Sequence, residues 1–169
     1  MTGVGITYKF TKLLDKYYGV NYADDYLDLV ALGMIGDRAD TVNLQTRYLI
    51  LKGLEQIRNK VNKNKLISVL VNAQMYSMNN KITINGIGFY VCPLMNSMIR
   101  LGEYEDKCYM FEALCNSDEM LDRKVRGKGV VNMTIQEYVL KACQSSNRKQ
   151  KKITEESAAV LSEEIKKFN

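Results

Sequence analysis

Residues 26–54, YLDLVALGMIGDRADTVNLQTRYLILKGL, constrain the fold more than any other stretch. An apolar run halts at Gly36-Asp37, crosses a charged turn, and resumes as a helical pattern beginning near Leu44. Two aspartates and an arginine between two buried segments are a poor way to build a core. They are a good way to present a carboxylate at the edge of one. Asp37 is either a metal ligand or an ordinary turn residue, and residue type alone leaves both readings open.

Around this stretch the chain is patterned for helices. Apolar side chains at Val4, Ile6, Phe10, Leu13, Leu14 and Tyr17 predict a helix over 4–18 that stops at Gly19. A second helix is expected over 24–34, with Tyr26, Leu27, Leu29, Val30 and Met34 turned inward, and others over 44–59 and 64–78. In KITINGIGFYV, Asn85-Gly86 lies between short β-rich runs and predicts a hairpin, which the only proline, Pro93, ends. Helices follow over 103–115, 117–126, 134–150 and 153–168, the last with Thr154 as its cap. The expected chain is predominantly α-helical with one small β-hairpin, without internal repeats or a low-complexity linker.

With 169 residues, 46% of them hydrophobic and 25% charged, the chain is one domain or a piece of a larger one. No apolar run reaches the roughly 18 residues that span a bilayer. The opening MTGVGITYKF lacks a signal-peptide layout, so a cytoplasmic protein with no membrane partner is expected. Cys92, Cys108, Cys115 and Cys143 show neither a C-x-x-C pair nor zinc spacing. They are expected to be reduced structural thiols, with Cys108 and Cys115 on a buried helix face. These residues include no histidine. That excludes a Ser-His-Asp or Cys-His relay, and an imidazole metal ligand, within the chain.

The net charge is +5 and the cations are clumped, in RNKVNKNK (58–65), RKVRGKG (123–129) and NRKQKK (147–152). Such clusters bind polyanions by releasing counterions. Each cluster alone also fits a solvated helix end, where lysine is favourable anyway. Three together point toward a polyanionic partner.

Four segments, in order, carry a family resemblance. GVGITYKFTKLLDKYYG resembles a G-x-G-[VI]-x-[YF]-K helix, and the stretch from Tyr26 to Leu54 is similar to a D-L-V-A-L-G-T-I-A-D segment followed by N-R and a leucine-rich G-L helix. GFYVCPLMNSMIRLGEYED resembles F-x-[IL]-x-P-R-[IL]-N-A-x-G-R, and SSNRKQKKITEESA an L-N-x-x-R-[KQ] segment leading into a long connecting helix. Together they resemble the later half of the catalytic domain of RecJ-type single-strand-specific exonucleases, within the DHH phosphoesterase superfamily. The resemblance implies an α/β domain. Residues 1–152 would be its C-terminal part and 153–169 the start of the connecting helix.

The resemblance also implies roles. Asp37 matches the fourth-motif aspartate, a catalytic residue and ligand for Mn²⁺ or Mg²⁺, ions that take hard carboxylate oxygens. Asn96 and Arg100 match the asparagine and final arginine of the proline-led motif, where they would contact nucleic acid beside Arg123, Lys124 and Arg126 of the second basic cluster. Arg47 matches the N-R arginine, with a phosphate contact and a structural role both open. Asp40 departs from the pattern and suits a turn. Leu94 and Ile99 stand where the family has arginine and glycine.

The D-x-D and D-H-H motifs that supply most metal ligands in the family are absent from the sequence. The expected function is therefore a portion of a metal-dependent 5′-to-3′ single-stranded-DNA exonuclease, inactive alone and completed by another segment or a separate chain. A non-catalytic nucleic-acid-binding or assembly module, and a DHH phosphodiesterase acting on oligonucleotides or cyclic dinucleotides, are the alternatives. A part of an α/β domain should also expose apolar surface where the missing strands would pack.

Overall fold

In the computed structural model, which describes residues 2–61, 63–125, 127 and 129–167, the run after Tyr26 becomes helix α2 (Leu27–Gly36). A helix apolar on all sides must be covered on all sides. Accordingly Leu27, Val30, Ala31, Leu32, Met34 and Ile35 are all buried. Helix α1 (Gly3–Tyr18) lies on one side, with its Val4 against Gly33, and helix α3 (Leu44–Arg58) on another. The α2–α3 crossing is close because residue 53 is glycine. A Cβ there would meet the Leu27 carbonyl oxygen at 2.1 Å.

Helix α1 starts at Thr2, whose hydroxyl accepts from the Gly5 N–H, and stops at Gly19 in the left-handed region (φ 68°). The expected boundaries hold. Its outer face is apolar and uncovered, with Ile6, Phe10 and Leu13 each 59–66% exposed. Helix α4 (Lys65–Gln74) buries Leu66, Ile67, Leu70 and Val71 against the same core.

The expected hairpin at Asn85-Gly86 is not there. Residues 84–101 form α5 (Ile84–Gly86), a π-helical turn (Ile87–Val91) and α6 (Cys92–Leu101) in succession. Ile87, Val91, Leu94 and Met98 recur at helical intervals and all are buried, so this apolar stripe outweighs the local β propensity. Thr83 caps the segment, its hydroxyl accepting from the Gly86 N–H at 2.9 Å. Pro93, the second residue of α6, follows the π-helical turn directly.

The hairpin lies further on, where a helix over 117–126 was expected. After α7 (Tyr104–Leu114), strands β1 (Met120–Val125) and β2 (Gly129–Thr134) pair antiparallel, with Leu121 opposite Met133 and Arg123 opposite Val131. Gly127 and Gly129 take positive φ between the strands. Alternation buries Leu121 and Met133 and leaves their neighbours exposed.

The last helix, α8 (Ile135–Lys167), is one element rather than two. Thr134 and Glu137 form a reciprocal capping box at its start. Thr154 caps nothing and donates instead to the Gln150 carbonyl inside the helix. Neither glycine nor proline interrupts these residues, so nothing ends the helix near 150. Ile135, Val139, Ala142 and Cys143 are buried on its packed face, whereas every described side chain from 151 onward is exposed. No helix among the described residues is long and apolar enough to cross a membrane.

Candidate functional site: the Asp37 corner and its cleft

The turn after α2 closes with three backbone bonds. Asp37 N–H donates to the Gly33 carbonyl at 3.0 Å, Arg38 N–H to Ile35 at 3.1 Å and Ala39 N–H to Met34 at 2.9 Å. The last two define a Schellman ending, in which one residue must adopt the left-handed conformation. Glycine usually fills that place; here it is Arg38, at φ 51°. Asp37 is the helix cap and its side chain is exposed. Gly36 packs beside Cys92, whose sulfur would lie at ordinary contact distance, 3.7 Å, from a Cβ there.

The rest of the turn is held locally. Asp40 Oδ1 accepts from the Val42 N–H at 2.8 Å, the turn role expected of it. Asn43 caps α3 by accepting from Gln45 and Thr46. Arg47 donates its Nε–H to the Thr41 carbonyl at 2.9 Å, which ties the loop to α3.

Beside this corner is a cleft of about 570 Å³ whose polar rim includes Arg38, Asn96, Arg100 and Gln150. Asn96 and Arg100 are one helical turn apart on α6 and share a face. Leu94 is buried in the core. Helix α6 is fixed to α8 through Ser97, whose hydroxyl is within 2.6 Å of the Pro93 carbonyl, 2.6 Å of Gln150 Oε1 and 3.2 Å of Asn147 Oδ1.

The second basic cluster is elsewhere. Arg123 points inward from β1, with its guanidinium 4.7 Å from the centre of the Tyr138 ring and Nη1 donating to the Tyr138 carbonyl. Lys124, on the opposite face of the strand, is exposed. Arg126 lies outside the described residues. Tyr138 and Gln150 are twelve positions apart on α8, so the hairpin stands about 18 Å along that helix from the cleft. The first cluster is largely paired: Arg58 donates to the Ile82 carbonyl, Lys63 binds Asp25 and Lys65 binds Asp118.

The expected set therefore divides. Asn96 and Arg100 share a cleft with the turn that carries Asp37, whereas Arg123 and Lys124 lie away from it on opposite faces of β1, Arg123 turned in against Tyr138 and Lys124 exposed. Arg38, Phe89 and Gln150 join the cleft without having been singled out in the sequence. The signal for Arg38 was an arginine where a helix ending favours glycine. Among the described residues no three Cys, Asp or Glu side chains are grouped to hold a metal ion. The donor set among the described residues does not fit a metal pair.

The thiols also divide. Cys92 and Cys143 are buried, Cys108 is half-buried and Cys115 is exposed. The expected buried face through Cys108 and Cys115 is not formed, because Cys115 falls at the cap of α7. Burial pushes the Cys92 thiol up to about 11 and the Cys143 thiol up to about 12.

Two curated relatives match the chain. One is YorK of Bacillus subtilis (strain 168), derived from the SPbeta prophage, and the other is yorK of Bacillus phage SPbeta; both are named as candidate single-strand DNA-specific exonucleases. Each is 33% identical over 166 residues, which is 98% of this chain. The chain spans only 28% of the length of either relative. No family model and no solved structure matches it.

Proposed function

We propose that these residues are part of a RecJ-like, metal-dependent exonuclease acting on single-stranded DNA, and that they do not hydrolyse DNA by themselves. The observation that carries the reading is the match to the YorK proteins along nearly the whole chain, at about a quarter of their length. Asp37 gives one carboxylate to a Mn²⁺ or Mg²⁺ site whose other ligands come from outside these residues. Asn96 and Arg100 receive the strand beside it, and Arg123, Lys124 and Arg126 belong to a more distant part of the same path. The exposed apolar face of α1 is consistent with a domain that continues beyond these residues.

Arginine suits this task because its planar fork matches two phosphate oxygens at once, and Asn96 offers an amide N–H to a third. Asp37 is free of direct competition from a cap hydrogen bond on its neighbours, since the turn is closed by backbone groups. The missing carboxylates come, on this reading, from another segment of the same protein or from a separate chain. The alternative, a binding module without chemistry, is favoured by Leu94, which is buried where the resemblance would place a phosphate-gripping arginine.

The test is reconstitution. The remainder of YorK outside the matched segment is combined with this chain, and Mn²⁺-dependent release of nucleotides from labelled single-stranded DNA is followed. Release by the pair and by neither component supports the exonuclease reading. Salt-sensitive binding without release by any combination supports the binding module.

A further inference from the structure

Phe89 is a large aromatic side chain that the core does not use. It is 69% exposed and lines the cleft beside Asp37, whereas Ile87 and Val91 of the same π-helical turn are completely buried. A π-helical turn shifts the facing of side chains relative to a regular helix, and such turns recur at functional sites. This one is held close to the end of α2, because a Cβ on Gly88 would lie 3.3 Å from Ile35. The ring is thus presented from a rigid element next to the Arg38 turn.

The company of the ring indicates its ligand. Two guanidinium groups, Arg38 and Arg100, and the amides of Asn96 and Gln150 line the same cleft, and no carboxylate does among the described residues. That lining selects an anion with a flat apolar part. Arg38 is placed at the end of α2 by a left-handed backbone (φ 51°), the same ending that Lys60 gives α3 (φ 55°).

We infer that Phe89 is a stacking platform for one base of a single-stranded nucleic acid, with Arg38 and Arg100 holding the phosphate next to that base. The cleft, at about 570 Å³, accommodates a group of nucleotide size. Stacking on an aromatic face is tolerant of base identity, as an exonuclease working along any sequence requires. The identity of the strand as DNA rests on the exonuclease reading; the stacking geometry does not.

The full chain is titrated with fluorescein-labelled oligothymidylate and with an abasic oligodeoxynucleotide of the same length, and binding is read by anisotropy. Phe89→Ala lowers affinity for oligothymidylate about tenfold and leaves the abasic strand unaffected. Phe89→Trp restores the loss. Arg38→Gly weakens both oligomers alike. Equal affinity of wild type and Phe89→Ala for oligothymidylate, an equal loss on both strands, or no binding of either strand overturns the inference. Failure of the exonuclease reading shows separately, as no nucleotide release from single-stranded DNA by any combination of the reconstituted components.

Discussion

Ser97 Oγ on α6 and Gln150 Oε1 on α8 lie 2.6 Å apart, and Ser97 is completely buried. The contact couples the helix carrying Asn96 and Arg100 to the longest element of the chain. The Ser97 hydroxyl proton is shared among three acceptors, the Pro93 carbonyl, Gln150 Oε1 and Asn147 Oδ1. Ser97→Ala removes the shared oxygen and is expected to cost about 1–2 kcal/mol. Urea unfolding measures it, with an unchanged m-value as the sign that only the native contact was lost.

Gly53 sets the distance between α2 and α3. An alanine there gains helix propensity of roughly 1 kcal/mol but drives a methyl group into the Leu27 carbonyl. Backbone does not give way as a flexible side chain does. Gly53→Ala should therefore destabilise by about 2 kcal/mol or more. Gly3→Ala, where a Cβ meets nothing within 4 Å, is the control and should be neutral to stabilising. Thermal melts should show a lowered Tm for Gly53→Ala and an unchanged or raised Tm for Gly3→Ala.

Arg38→Gly relieves the left-handed strain at the end of α2 and is expected to stabilise the fold by about 1 kcal/mol. The same change should weaken binding of single-stranded DNA. A gain in stability joined to a loss of affinity is what a functionally retained strain predicts. Loss of both would make Arg38 a structural residue.

The buried thiols give a pH dependence with a defined sign. Cys92 and Cys143 have folded-state values raised to about 11 and about 12, above the roughly 8.5 of an unfolded thiol. Their contribution to stability is complete below pH ~8.5 and is lost as pH rises through the folded values. At neutral pH an aromatic disulfide reagent should modify Cys115 first and Cys108 more slowly. Cys92 and Cys143 should react only on unfolding. Fast reaction of all four thiols in the native state would contradict the burial.

Much of the helical framework was legible in the sequence, because α1, α3 and α7 announce themselves by apolar spacing and clear ends such as Gly19. The hairpin was misplaced for two physical reasons. At 84–91 a buried stripe of period 3.6 hides beneath β-branched residues and an Asn-Gly pair. At 120–134 the strands are short and β1 is half-charged, so local composition suggested helix until Gly127 and Gly129 fixed the reversal. The division of α8 failed because Thr154 resembles a cap in a sequence with nothing to end the helix before it. In the site, Asn96 and Arg100 were legible from the proline-led motif. Arg38 and Phe89 were not, since their meeting depends on how the π-helical turn packs on the end of α2.

Salt dependence separates the two basic surfaces. Each phosphate neutralised on a single strand contributes a slope of about −0.7 in log K against log salt. Arg100→Ala and Lys124→Ala should each reduce the slope by about that amount if both surfaces lie on the path. An unchanged slope for Lys124→Ala would confine the path to the cleft.

The central claim is that Asp37 belongs to a hydrolytic site completed from outside these residues. Its most direct measurement is Mn²⁺-dependent nucleotide release from single-stranded DNA by the chain reconstituted with the rest of YorK, comparing wild type with Asp37→Asn. The account predicts that Asp37→Asn keeps strand affinity within about twofold while release falls by at least the 10²-fold typical of losing a directly acting group. Release by the Asp37→Asn pair at the wild-type rate would contradict it.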